Sequence, residues 1–231
     1  MKKPVCSNTE ESTELLRLSE SNNIKIQVGH VERFNPAYIT VEENISKPMF
    51  IESHRLAKFN PRGTDVSVVL DLMIHDIDII LSSVKSPVKT ISSNGISVIS
   101  DCPDIANARI EFEDGCIANL TSSRISLKKM RKTRIFQEDA YISINFLEKE
   151  FQVVKIRDKH KGELESSLIV KNNLGEEKVI FFENPKVESI NSIEAELNDF
   201  YRSIKFKSDS KVSLNDGIKA LEIAEEIMRQ L

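Results

Sequence analysis

The 231 residues predict an α/β (α+β) chain: a short α/β segment followed by a large domain built on a mostly antiparallel sheet flanked by helices. Three observations carry this expectation. From Val88 to about Ile180 the hydrophobic pattern has period two, as half-buried strands require. Helical periodicity frames that stretch on both sides, which places helices before and after one run of strands. Asp114-Gly115 separates two alternating runs, Ala106 to Phe112 and Cys116 to Leu120, as a hairpin turn does. The boundary falls near residue 30, dividing the chain into 1–30 and 31–231.

In chain order, Asn8 or Thr9 caps a first helix, with acidic residues in its first turn and Leu15, Leu16 and Leu18 on one side. Ser21-Asn22-Asn23 ends it, and Ile24 to Val28 alternates as a strand. Asn35-Pro36 starts a second helix with proline at its first position. Met49 to Phe59 reads as a strand, and Val66 to Val84 as a helix ended before Pro87. Within the strand region, Tyr141 to Phe146 puts Ile142, Ile144 and Phe146 on one face and Tyr141, Ser143 and Asn145 on the other. Two helices close the chain, Ser192 to Ile204 and Ser213 to Gln230. The second has Leu214, Ile218, Leu221, Ile223 and Ile227 as its apolar side.

Bulk properties exclude several functions. A net charge of −4 and a pI near 5.7 offer no overall basic footprint for nucleic acid. The one basic run, Lys128-Lys129-Met130-Arg131-Lys132, reads as a solvated turn between strands rather than a polyanion site. Cys6, Cys102 and Cys116 lack the spacing of a disulfide framework or a zinc knuckle and fit a reducing cytoplasm. The basic N-terminus has no apolar segment of a signal peptide, and no stretch approaches the roughly 18 apolar residues of a membrane span. A soluble cytoplasmic protein is expected.

The informative segment is Val68 to Leu81. Its helix is apolar almost all round, yet Asp71, His75 and Asp78 sit at i, i+4 and i+7 on one stripe. Burying them unpartnered would cost several kcal/mol, so the stripe faces a polar network or a cavity. Three readings stay open. The first is a satisfied buried pair, with Asp71 accepting from His75. The second is a carboxylate-oriented histidine acting as general base on a substrate hydroxyl. The third is a metal held by His75 and Asp71 with His54 or His30, which no HExxH pattern supports.

These residues carry a family resemblance. Lys3-Pro4 is similar to the end of the Glu-Lys-Pro motif that closes the dinucleotide domain of the glucose-fructose oxidoreductase/inositol dehydrogenase (Gfo/Idh/MocA) family. Val28-Gly-His-Val-Glu-Arg33-Phe-Asn35-Pro36 resembles the opening of its substrate domain. Asp71-Leu-Met-Ile-His75 resembles its Asp-x-x-x-His catalytic helix. The hairpin at 106–120 and the last helix fit as well. The resemblance implies that residues 1–30 are the end of a Rossmann dinucleotide-binding domain. Residues 31–231 then form the substrate-binding and dimerisation domain, associating as a homo-oligomer through the large sheet.

The same resemblance implies NAD(P)-dependent oxidation of a sugar or nucleotide-sugar. His75 would take the hydroxyl proton, Asp71 would orient the imidazole, and Lys3 would hydrogen-bond the reacting oxygen, with Lys3 and Pro4 against the nicotinamide. His30, Arg33 and Asn35 would bind substrate hydroxyls or a phosphate. The Gly29-to-Pro36 stretch is similar to members acting on UDP-linked N-acetylated sugars. A non-catalytic oligomerisation or ligand-binding module derived from such an enzyme is the alternative.

Two features depart from the family pattern. The seven glycines, at 29, 63, 95, 115, 162, 175 and 217, include no GxGxxG turn to cradle a pyrophosphate. Whether the cofactor is NAD or NADP is therefore not written in the chain, and the polypeptide alone is expected to be inactive. Asp65-Val66-Ser67-Val68 also stands where the family often has glycines.

Overall fold

The computed structural model describes residues 3–60, 66–158, 168–171, 175, 177–183, 187 and 190–231. Asn8 caps α1 (Thr9–Ser21), its side chain accepting from the Glu11 amide. Asn35 caps α2 (Pro36–Val41), with Pro36 in its first turn. β1 (Pro48–Leu56) leads through a helical segment to α3 (Ile74–Ser83). Eight strands follow: β2 (Val88–Ile96), β3 (Ile105–Phe112), β4 (Ile117–Ser123), β5 (Met130–Gln137), β6 (Ala140–Asn145), β7 (Glu150–Asp158), β8 (Leu168–Lys171) and β9 (Glu177–Glu183). α4 (Ser192–Phe206) and α5 (Leu214–Arg229) complete the described order.

Among the described residues, one sheet takes up nine strands in the order β2-β3-β4-β1-β5-β6-β7-β9-β8. Every pairing is antiparallel except β1 with β4, where Phe50 to Leu56 run alongside Ile117 to Ser123. The β3–β4 hairpin forms as the alternation predicts, and Gly115 takes φ +89° in its turn, a left-handed value that favours glycine. Burial follows the pleat: Ile142, Ile144 and Phe146 are buried on one face, with Ile51, Ala118, Leu120 and Ile135 from the neighbouring strands. Helices α2, α3 and α5 cover this face. The opposite face carries charged and aromatic side chains, including Glu52 paired to Arg134 at 3.0 Å and the tilted ring contacts of Phe136 with Phe50 and Tyr141.

α5 joins two cores. Its Ser213–Asp216 capping box fixes the start. Ala220, Ala224 and Ile227 pack into the main core under the sheet. Leu214, Ile218 and Leu221 enter a smaller one with Val5, Val28 and Phe34. Gly217 sits against the fully buried Val28, where an added Cβ would lie 2.6 Å from a Val28 methyl carbon. Gly217→Ala is expected to cost about 1–3 kcal/mol by overpacking, read as a lower midpoint in urea unfolding.

Four local expectations are corrected. Residues 24–28 do not form a ladder strand; only Gln27 bridges, antiparallel, to Ser213, because no other strand lies beside them among the described residues. The Lys128–Lys132 run is not simply a turn, since β5 begins at Met130 and pairs with β1. The helix over 66–84 is not uniformly α-helical: Val69–Met73 forms a π-helical turn before α3. Leu18 also turns outward at 43% exposure, while Leu15 and Leu16 pack inward.

Candidate active site

The polar residues of the buried helix divide between structure and chemistry. Asp76 and Asp78, both almost fully buried, are held by arginines. Arg55 from β1 makes two bonds of 2.9 Å to Asp76, and its third nitrogen donates to Glu32 at 3.0 Å. Arg33 makes the equivalent fork to Asp78 at 2.8 and 3.1 Å. Glu32 also accepts from Asn35 (3.1 Å) and lies 3.4 Å from Arg131. Burial opposes the charge of Arg55, but Asp76 and Glu32 outweigh it and hold the guanidinium fully charged. This network fixes the short helical turn Val31–Phe34 and β1 against α3.

His75 has no such partner. Its Nδ1 is buried without a hydrogen bond to any described residue. Burial pushes its pKa well below 6.5, and Arg55, Lys3, His30 and Arg131 push the same way. It is therefore neutral at pH 7. His30 lies beside it, ring centroids 6.3 Å apart and edge to face, with both nitrogens unbonded and one 4.0 Å from Asp78. Burial lowers the His30 pKa too, although Asp78 opposes the shift.

Asp71 is placed differently from the stripe that ideal helical spacing implies. It lies in the π turn with about half its side chain exposed, and no hydrogen bond joins it to His75. It faces Lys3 instead: the Lys3 Nζ stands 3.7 Å from Asp71 Oδ1 and donates to the backbone carbonyls of Asp71 and, at 3.4 Å, Leu70. π turns interrupt the regular carbonyl ladder and are frequent at functional sites. Burial lowers the Lys3 pKa, with Asp71 opposing the shift. Lys3 is joined to Pro4 by a cis peptide bond.

Lys3, Asp71, His75 and His30 thus come together, although 67 residues separate Lys3 from Leu70 in the chain. Arg33 and Asn35 do not present free polar groups there. Arg33 is committed to Asp78. Asn35 spends its side chain on the Ala37 amide, Glu32 and the Phe146 carbonyl. Arg33 also lines a separate cleft between α3 and α5, of about 670 Å³. Among the described residues no group of three or more His, Cys, Asp or Glu side chains converges on a metal position.

A second cleft, about 510 Å³, opens at Asp71 and Leu72. Lys58, Phe59, Arg124, Lys129 and Arg131 contribute to its walls, none of them singled out from sequence as site residues. The signal available for Arg55 was its place in the strand: at the same parity as buried Ile51 and Ser53, an arginine must find buried acids.

Residues 42–143 match the GFO/IDH/MocA C-terminal domain. A curated relative, UDP-N-acetylglucosamine 3-dehydrogenase of Acidithiobacillus ferrooxidans, is 33% identical over 148 residues. That match covers 64% of this chain and 47% of the relative, so it spans about half the relative's length. A solved structure of the enzyme of that name from the same organism superposes with a TM-score of 0.86 at 26% identity, covering 100% of this chain and 69% of the other. The scyllo-inositol dehydrogenase of Lactobacillus casei, solved with NAD(H) and scyllo-inositol, shares the fold. Its TM-score is 0.72 at 17% identity, over 100% of this chain and 69% of the other.

Proposed function

We propose that this chain supplies the substrate-binding side and the general base of an NAD(P)-dependent dehydrogenase acting on a secondary hydroxyl of a sugar or nucleotide-sugar. The observation that carries the reading is His75: a buried, neutral imidazole with an unpartnered Nδ1, four residues after Asp71, which pairs with Lys3 and lines a cleft. A neutral imidazole accepts a proton, and a buried one without a hydrogen bond has its acceptor free for a hydroxyl. A cleft at Asp71 favours an enzyme over a packed, non-catalytic module.

The residues present fit the reactive end of a nicotinamide cofactor but not its pyrophosphate. His75 and Lys3 offer an acceptor and a donor for one hydroxyl oxygen, while the seven scattered glycines offer no phosphate cradle. When bound, the nicotinamide takes the hydride from the carbinol carbon. The chain's own part is to hold the hydroxyl between His75 and Lys3. As carbonyl character grows, His75 receives the proton and the Lys3 ammonium donates to the oxygen. Asp71 keeps Lys3 in place, and this role replaces orientation of the imidazole in the reading. Lys3 and Pro4 lie on the cofactor side. The aromatic and charged outer face of the sheet is assigned to a subunit interface.

The test is the pH dependence of sugar-dependent NAD+ reduction, in an enzyme that joins residues 1–231 to a dinucleotide-binding half. The base works in its neutral form, and the His75 pKa is lowered. kcat/KM should therefore hold level as pH falls through 6.5 and drop only in more acidic solution. An acidic limb centred at or above pH 6.5 would remove His75 as the base.

A further inference from the structure

Three buried imidazole nitrogens lie near one another without a hydrogen bond to any described residue: Nδ1 of His75 and both nitrogens of His30. The chemistry at His75 uses the first and leaves the other two unassigned. His30 is 1% exposed, with its ring edge to face against His75 at 6.3 Å between centroids. A neutral imidazole always carries one N–H, and a buried N–H without an acceptor is costly. The carboxylate beside it is Asp78. His30 Nδ1 stands 4.0 Å from Asp78 Oδ2, too far for a hydrogen bond to the neutral ring and close enough for an ion pair once the ring is charged.

The charges around the two rings differ. His75 faces Arg55 on β1, Arg131 on β5, Lys3 and His30, all of which oppose a proton on it. His30 faces Asp78 on α3 and Asp216 on α5, which favour a proton, with Arg33 and Lys3 opposing it. Burial lowers both pKa values, and that of His75 falls well below 6.5. A proton placed on His75 therefore moves downhill to His30.

From His30 the way leads outward. Arg33 holds Asp78 at 2.8 Å, and Arg33 and Asp216 both line the cleft of about 670 Å³ between α3 and α5. Among the described residues, none lines both this cleft and the one at Asp71. A proton can thus leave by the second cleft while a sugar fills the first.

We propose that His30 is the relay behind His75: it receives the substrate proton from the His75 imidazole, holds it against Asp78 and releases it into the cleft between α3 and α5. This rests on the dehydrogenase reading and adds the proton's destination. The sugar O–H bond breaks as an N–H bond forms on His75, while the C–H electron pair leaves as hydride to the nicotinamide. The new N–H on His75 then breaks as one forms on His30, and water or buffer base in the cleft takes that proton. Both rings end neutral, and one proton is released per turnover. His30 acts through His75 and is a positioning residue.

The order of protonation tests the relay without substrate or substitution. Imidazole nitrogen shifts, followed by NMR against pH in the 231-residue chain, are expected to show His30 taking its proton at a higher pH than His75. His75 protonating first, or together with His30, would overturn the relay. In the joined enzyme, His30→Gln is expected to lower kcat about tenfold or more with KM for the sugar little changed. Rising concentrations of imidazole buffer should then restore the rate, because a soluble base replaces the missing one. An unchanged kcat, or a loss that buffer leaves untouched, would also overturn the relay, the second by showing a packing defect at a buried position. Protonation in the expected order, with no sugar-dependent hydride transfer in the joined enzyme, would remove the dehydrogenase reading alone and uphold the path from His75 to His30.

Discussion

Replacing Arg55 with methionine is expected to destabilise the fold by about 3–5 kcal/mol, a large share of a typical domain's 5–15 kcal/mol. Arg55 is 2% exposed, and its guanidinium donates to two carboxylates, Asp76 and Glu32, which are themselves buried. Methionine fills much of the volume but leaves both acids without their cation, and an uncompensated buried charge costs far more than the pair's net worth. The two acids must then protonate or draw in water, so the variant should lose more stability at pH 7 than in acid. Urea unfolding monitored by circular dichroism measures both effects. The triple variant Arg55→Met/Asp76→Leu/Glu32→Met should recover much of the loss, because removing all the charges also removes their desolvation cost. The recovery should be incomplete, since Glu32 also accepts from Asn35 and lies beside Arg131.

Replacing His75 with asparagine is expected to lower kcat for sugar oxidation in the joined enzyme by a factor of about 10² to 10⁴, the usual worth of a general base. KM for the sugar should change little, because asparagine still offers a polar group to the hydroxyl. The acidic limb of the pH–rate profile should vanish with the imidazole. A variant that merely loosened the fold would instead lower kcat and stability together, without altering the shape of the profile. The local risk is small: no hydrogen bond to His75 Nδ1 is lost, and the buried charge pairs on either side belong to Arg55 and Arg33.

The β3–β4 hairpin, the Asn8 and Asn35 caps and the two-faced last helix were legible in the residues, because each is decided by local chemistry. An Asp-Gly turn between alternating runs needs no distant partner to be recognised, and neither does an Asn-Pro helix start. The parallel β1–β4 pairing was not legible, since it joins strands some sixty residues apart and depends on which edges remain free. Ile24 to Val28 alternates as a strand does but has only a bridge to Ser213, because alternation describes a face and does not supply a neighbour.

In the site, Asp71 and His75 were found from their helical spacing, yet the spacing misled about how they relate. A single π turn rotates Asp71 off the stripe and towards Lys3, and nothing in Val69 to Met73 announces that turn. Arg33 and Asn35 stood out for their polarity, which in this setting is spent on Asp78, Glu32 and the Phe146 carbonyl. The basic run reads in sequence as a solvated turn, but β5 carries Arg131, with Lys129 just ahead of the strand, to the wall of the cleft.

The division of labour proposed for this chain, substrate and base without a phosphate cradle, is tested most directly by titrating NADH into the purified 231 residues in a calorimeter. No binding in the micromolar range is predicted, because the backbone amides that would receive the pyrophosphate have no glycine-rich turn to come from. Micromolar binding by this polypeptide would contradict it, and would mean that another segment of the chain cradles the cofactor's phosphates.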